Sequence, residues 1–256
     1  MSNSITVVIQ VRNGAKEIAA CIESAKKLTA NVLVTDMHST DQTAALAKKA
    51  GAKVISVPFF DYVEPVRNSA FQNTKTDWVF ILDADERITT ELAEEIQQSV
   101  RSTKFTHYKV PRKNIFLGQK WLRHGGWWPD YQIRLIKKTA FINWPQAIHS
   151  TVQIEGEMGF LKEPFLHYFH PSLENMVGKT AKFEYKEATL LYKAGRRVTT
   201  LTFFRKYLAE LYRRLIKQRG FLDGTLGIVE SVYQAYSKTI TWILLYEMKK
   251  TKPKIT

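Results

Sequence analysis

Four short apolar runs alternate with stretches of helical period in the first hundred residues, and this alternation constrains the fold more than any other feature. The runs are ITVVIQV (5–11), NVLVTD (31–36), AKVISV (52–57) and WVFILDAD (78–85). They are rich in β-branched and aromatic residues and too short for buried helices. Between them, residues 15–28 carry Ile18, Ala19, Ile22, Ala25 and Leu28 at helical spacing. Residues 41–50 open on Asp41 and stop before Gly51, and 66–75 suggest a further helix. The pattern predicts a fourth helix over 89–102, opened by Thr89-Thr90-Glu91. Strands and helices alternating at these lengths imply βαβ units and a mainly parallel sheet flanked by helices. Ligands of such sheets bind outside the carboxyl ends of the strands. Asp36, Asp83 and Asp85 fall there.

The chain changes character twice after that. Residues 105–170 hold strand-like pieces (FTHYKVPR, YQIRLIKK, TVQIE) among Trp, His and Pro, as expected of an aromatic-rich β insertion. From 173 onwards the pattern is helical, and Leu201, Phe204, Leu208, Leu211 and Leu215 form one stripe, with Arg205, Lys206, Arg213, Arg214 and Lys217 on the other faces. The expected organisation is one α/β domain over 1–172, divided into halves at 1–104 and 105–172. A basic amphipathic extension over 173–256 follows it.

Charge follows the same division. The formal net charge is +14, and residues 179–256 contribute 17 Lys+Arg against 6 Asp+Glu. A basic tail on a nearly neutral body suits a polyanion, either anionic lipid or nucleic acid. No zinc, helix-turn-helix or RNA-binding motif is present, which argues against nucleic acid. The lone cysteine, Cys21, cannot form an internal disulfide and suits a reducing setting. No run of about 18 apolar residues predicts a membrane span, and the start lacks the marks of a signal peptide.

The sharpest chemical feature is Asp83-Ala84-Asp85-Glu86, three acids delivered to one strand end. Close carboxylates repel unless a cation lies between them, and hard divalent ions take oxygen ligands. The competing reading is a solvated acidic turn ahead of the next helix. Four motifs in order, VVIQVRN, VTDMHSTDQT, VRNSAF and VFILDADE, resemble the family-2 glycosyltransferases of GT-A, Rossmann-like nucleotide-sugar-binding fold. GGWWPDYQIRLIKK, INWPQAIHS, FLHYFHPSLENMVGKTAKFEYKEA and RGFLDGTLG extend the resemblance to the subgroup that builds lipopolysaccharide cores and related surface glycans.

That resemblance implies roles for particular residues. Asp36 would accept from the N3–H of a uracil, its other role being to cap the turn formed with Ser39, Thr40 and Asp41. Arg12 and Asn13 would line the nucleotide pocket, and Arg67 would pair with the diphosphate or buttress Asp83. Asp83 would sit near ribose and metal, and Asp85 would bind Mg²⁺ or Mn²⁺ directly. His149 is a further metal ligand, a phosphate contact or a structural histidine. The subgroup has glutamate where this chain has Ser150, so the base that an inverting transfer needs falls to Asp130 or, next, Glu155. Trp127, Trp128 and Tyr131 would offer the acceptor sugar aromatic faces, with Trp121 and Trp144 nearby in sequence. His167 and His170 have no metal-site spacing and look structural. The implied activity is metal-dependent inverting transfer from a nucleoside diphosphate donor, UDP foremost, to a lipid-linked or envelope glycan. Ser150 leaves open a non-catalytic nucleotide-sugar-binding relative. Location follows from the basic tail: the cytoplasm, peripherally attached to the inner face of the membrane, unless the apolar stripe is simply core.

Overall fold

The computed structural model describes residues 4–60, 64–101, 104–145 and 151–251. Its strands and helices follow in the order β1 (Ile5–Val11), α1 (Ile18–Ala25), β2 (Val32–Asp36), α2 (Thr43–Lys49), β3 (Lys53–Ser56), α3 (Glu64–Gln72), β4 (Trp78–Asp83), β5 (Glu86–Arg87), α4 (Thr90–Ser99) and β6 (His107–Phe116). Then come β7 (Lys120–Trp121), β8 (Tyr131–Lys137), β9 (Phe141–Asn143), β10 (Gln153–Ile154), β11 (Met158–Phe160), β12 (Phe165–Phe169), α5 (Leu173–Lys193), α6 (Thr200–Leu211) and α7 (Gly224–Thr251). All four expected βα repeats form, within a few residues of their predicted limits.

The main sheet runs β3-β2-β1-β4-β8-β6-β12-β5. Its first four strands are parallel, and β8 is antiparallel to both β4 and β6. Every residue of β1 is buried, as a central parallel strand covered on both faces requires. Val7, Ile9 and Val11 pack on one face with α1 and α4, through Ile18, Ile22, Leu92 and Ile96. Val8 packs on the other with Ala70 and Phe71 of α3, Ile81 and Trp144. Cys21 is buried in the first of these layers. Parallel register pairs Val11 with Asp36 and Gln10 with Asp83. The expected site acids are therefore brought to one edge, on either side of β1.

The chain divides into two compact units, one made of residues 1–113 and 130–167, the other of 114–129 and 168–256. The observed boundary lies five residues before the expected one at 172/173. The segment 114–129, expected in the α/β domain, groups with the C-terminal helices instead. Three polar ties explain this. Buried Asp223 accepts from the amides of Arg123 (2.9 Å) and His124 (2.7 Å), and from His124 Nδ1 (2.9 Å). Gly125 N donates to Gln218 O (2.8 Å), and Arg214 donates to Gly125 O (3.0 Å). Apolar packing agrees, since Phe116, Leu122, Phe169 and Met176 form one cluster with Trp127, Leu226 and Val229. The glycines of RGFLDGTLG are needed for closeness: a Cβ on Gly227 would stand 2.2 Å from Gly220 O. Among the described residues, no helix is long and apolar enough to cross a membrane.

Candidate active site

At the carboxyl edge of the parallel strands, two loops are stitched together. Asn13, in a left-handed conformation (φ 50°), accepts from Thr40 N through Oδ1 (2.8 Å) and donates its own amide to Ser39 Oγ (2.9 Å). Asparagine tolerates that conformation better than most residues. Asp36, 5% exposed, accepts from Ser39 N at 3.2 Å and from the Ser39 hydroxyl. Asp41 accepts from Ala15 N (3.2 Å) and Thr43 N (3.0 Å). Arg12 is exposed and lies 3.7 Å over the ring of Phe59. Arg12, Asn13 and Asp36 therefore line one rim, with Asp36 also closing its own turn.

The opposite side of β1 holds a charge network. Arg134 is 4% exposed and reaches Asp83 Oδ2 at 2.9 Å and Glu86 Oε1 at 2.5 Å. Arg67 Nη2 is 4.0 Å from Asp83 Oδ1, and its guanidinium lies 4.2 Å over the Trp144 ring. Burial raises the Asp83 pKa, but Arg134 and then Arg67 outweigh it and hold the carboxyl well below the usual range, at about 2. Glu86, fully enclosed, is pushed up by burial, against the pull of Arg134. Asn68 clamps the segment under Arg67: its Nδ2 donates to Trp144 O and its Oδ1 accepts from Trp144 N, both at 2.8 Å. Arg87 bonds Ala84 O (2.8 Å) and Glu17, fixing the acidic turn to the start of α1. Asp83 is thus held by two arginines, while Asp85 is half-exposed beside it.

Residues 6–168 match the glycosyl transferase family 2 profile. The chain belongs to glycosyl transferase family 2. Its mixed α/β sheet with flanking helices is the GT-A arrangement. An uncharacterized glycosyltransferase of Rickettsia conorii is 26% identical over 96% of this chain and 91% of its own length. The lipopolysaccharide core biosynthesis glycosyltransferase LpsC of Rhizobium meliloti is 25% identical over 92% of this chain and 89% of its own. Among solved structures, glucosyl-3-phosphoglycerate synthase from Mycobacterium tuberculosis in complex with Mn²⁺ and UDP-glucose superposes with a TM-score of 0.47 at 16% identity, over 77% of this chain and 81% of that one.

The transferase brings to the acidic turn a histidine, His167, whose sequence context points to a structural role. β12 pairs antiparallel with β5, His167 opposite Glu86, which puts His167 Nε2 3.8 Å from Asp85 Oδ2. Burial, then the charge of Arg112, pushes its imidazole down to about 3, so it is neutral and keeps a lone pair at physiological pH. A divalent ion bridging a diphosphate needs one or two protein ligands and takes the rest from phosphate and water. Asp85 with His167 fits that demand. Among the described residues, no three acids, histidines or cysteines converge to hold an ion alone. His149 and Ser150 lie outside the described residues.

The other expected residues separate. Asp130 stands at the same end of the sheet as Asp83, its carboxylate gripped by Arg112 (2.7 Å) and Gln132 (2.7 Å). Glu155 does not join the site. Its amide bonds Ala140 O, and its carbonyl accepts from Thr106, at the end of the sheet where β4 begins, opposite Asp83. The antiparallel β9–β10 pairing carries it there, and its exposed carboxylate is removed from the candidate bases. Tyr131 is exposed and sits edge-on to Phe160 (5.4 Å) in the first unit. Trp127 and Trp128 belong to the second: Trp127 packs on Phe169 (4.7 Å), and Trp128 on Trp121 (5.2 Å).

Two residues, Arg134 and Gln10, were missed, and Glu86 was read only as one of the acids of the turn. Arg134 and Glu86 form the ion pair beneath Asp83, and an arginine flanked by Ile133, Leu135 and Ile136 in a strand was a legible sign of a buried acid partner. Gln10, 4% exposed and in register with Asp83, has no hydrogen-bond partner for either amide atom among the described residues. A buried amide left unmade costs about 1–3 kcal/mol, so Gln10 is a locally unfavourable residue beside Asp83.

Proposed function

We propose that this family-2 transferase moves a sugar from a uridine diphosphate donor, with inversion, to a hydroxyl of a lipid-linked or envelope glycan such as lipopolysaccharide core. One observation carries the reading: a single sheet edge presents Asp36 on one side of β1, and Asp83 with Arg67 and Arg134 on the other. Two strand spacings, roughly 10 Å, separate these sides, a span that a nucleoside bridges. Asp36 accepts the uracil N3–H, and Arg12 and Asn13 border the base. Arg67 faces the diphosphate, while Arg134 holds Asp83 in place. Asp85 and His167 would hold Mg²⁺ or Mn²⁺, which when bound would supply positive charge to the leaving diphosphate.

Asp130 takes the acceptor proton. A carboxylate has about four acceptor sites, so the ion pair with Arg112 orients it without filling it. Tyr131 beside it offers an apolar face to the acceptor ring. The acceptor class draws support from the similarity to LpsC along nearly the whole chain, and the excess of Lys and Arg in residues 179–256 supports attachment to the inner face of the cytoplasmic membrane.

A thermal-shift screen of nucleoside diphosphate sugars, with and without Mn²⁺, tests donor binding. A donor at 100 times its dissociation constant stabilises by about 2.7 kcal/mol. Asp130→Asn keeps shape but loses proton affinity, so transfer should fall roughly 10²- to 10⁴-fold with donor binding intact. Unchanged transfer would move the base elsewhere. Donor binding without transfer to any glycan acceptor would leave a nucleotide-sugar-binding relative that lacks catalysis.

A further inference from the structure

The second unit contains a cleft of about 810 Å³ bounded by the end of α5, the loop after it, α6 and α7. Arg196, Arg197, Arg205, Lys206 and Lys238 line it, with Glu187 as the only acid among its lining residues. Trp242 forms part of the wall. It is 8% exposed, its indole N–H has no hydrogen-bond partner among the described residues, and the Lys206 ammonium sits 4.7 Å over its ring. Crowded cations repel. An anion with several acceptor oxygens, of which a phosphate is the plainest case, relieves that repulsion.

The same helix carries a second feature. Leu201, Phe204 and Leu208 of α6 are 72%, 65% and 60% exposed, and Tyr212, one turn on, is 61% exposed. Their spacing of three and four residues places them on one face. Arg205 follows Leu201 by four positions and precedes Leu208 by three, so it borders this stripe while lining the cleft. A nucleic acid would use the cations and leave the aliphatic stripe in water. A second copy of the chain would set 17 Lys+Arg against 6 Asp+Glu in residues 179–256 opposite the same excess. An anionic membrane surface matches both features at once.

We propose that this cleft seats the phosphate of an anionic phospholipid headgroup, with the Leu201–Phe204–Leu208–Tyr212 stripe entering the acyl boundary beside it. The proposal rests on the membrane-face location above and names the site responsible for it. It does not depend on the catalytic assignment, because no lining residue belongs to the candidate active site.

Sedimentation of the full chain with phosphatidylcholine vesicles, with and without 30% phosphatidylglycerol, tests it. Binding should require the anionic lipid and weaken at least tenfold between 50 and 500 mM salt. Arg196→Gln/Arg197→Gln/Arg205→Gln should lose tenfold or more with circular dichroism unchanged, whereas Lys27→Gln/Lys48→Gln/Lys49→Gln, equal in charge, should lose less than threefold. Leu201→Ser/Phe204→Ser should abolish the binding that survives high salt. Equal losses in the two triple variants would overturn the cleft, because net charge alone would then explain attachment. Absence of binding to either vesicle would overturn it too, as would stabilisation by inorganic phosphate in a chain that ignores vesicles. Donor thermal shifts on the same preparations keep the catalytic reading separate, since they should be identical in all these variants.

Discussion

The two units solve opposite problems. The first packs its core in two layers around a sheet and sets a charge network at one edge, where Arg134, Asp83 and Glu86 lock together at 0% to 30% side-chain exposure. The second leaves large apolar side chains in view along three helices, among them Leu173 and Phe183 of α5, Leu201 and Phe204 of α6, and Val232 and Tyr236 of α7. Its internal acids serve other ends: Asp223 caps backbone amides, and Glu184 takes hydroxyl donors from Ser237 and Thr241. Exposed apolar surface on this scale marks an interaction surface, whereas a buried charge network beside a sheet edge marks a place prepared for a charged ligand. On the proposed reading, chemistry and attachment fall to different parts of one chain, and substitutions should separate them.

Asp85→Ala should show the largest effect on the catalytic side. Losing the ligand that couples a cation to the diphosphate should cut transfer by roughly 10³-fold or more, since such charge stabilisation amounts to several kcal/mol. Stability should stay within about 0.5 kcal/mol, because this half-exposed acid supports no core. Full transfer with an unchanged melting curve would refute the assignment. Arg134→Met should act on stability and donor binding together. It strands Asp83 and Glu86 without their shared cation, and breaking such a buried pair costs about 3–5 kcal/mol. Urea unfolding measures the loss. A variant as stable as the parent would show that the network belongs to the ligand rather than to the fold.

How much of this was legible in the sequence depends on separation along the chain. β1 to β4 and their helices could be read directly because each is local and periodic, and the family motifs then aligned Asp36, Arg67, Asp83 and Asp85 along one edge. Arg134 could not be joined to Asp83, some fifty residues away, without the antiparallel β4–β8 register. His167 looked structural because only the pairing of β12 with β5 carries it to Asp85. Glu155 looked suitable as a free acid, yet a hairpin delivers it to the far end of the sheet. The α6 stripe left core and lipid readings open. Leu201, Phe204 and Leu208 are exposed while Leu211 and Leu215 are half-buried, a division that no spacing rule predicts.

In the second unit, Asp223→Ala should cost about 1–3 kcal/mol, since it leaves two part-buried amides and the His124 ring without their acceptor. It should spare donor binding, in contrast to Arg134→Met, and a loss of donor binding would show that Asp223 serves the donor site as well as its own fold.

Glu230 gives the smallest and most specific contrast. It is 1% exposed on α7, accepts from Gln234 Nε2 at 2.8 Å through one oxygen, and has no partner for Oε2 among the described residues. Burial pushes its pKa up from 4.5 to about 7, with Gln234 and Arg214 only partly opposing. The folded chain therefore prefers the protonated acid, while the unfolded chain ionises near the ordinary value. Stability from this group is complete below about pH 4.5 and lost as pH rises through about 7. The full gap corresponds to about 3 kcal/mol. Glu230→Gln mimics the protonated form at every pH, so it should match the parent near pH 4.5 and exceed it by about 1–3 kcal/mol at pH 8. Urea unfolding of both chains at several pH values isolates the difference, because every other titrating group is common to them. A difference that stays flat with pH would show that Glu230 is ionised in the folded chain, compensated within the helices much as Asp83 is in the sheet. The contrast between the two units would then lie only in their surfaces.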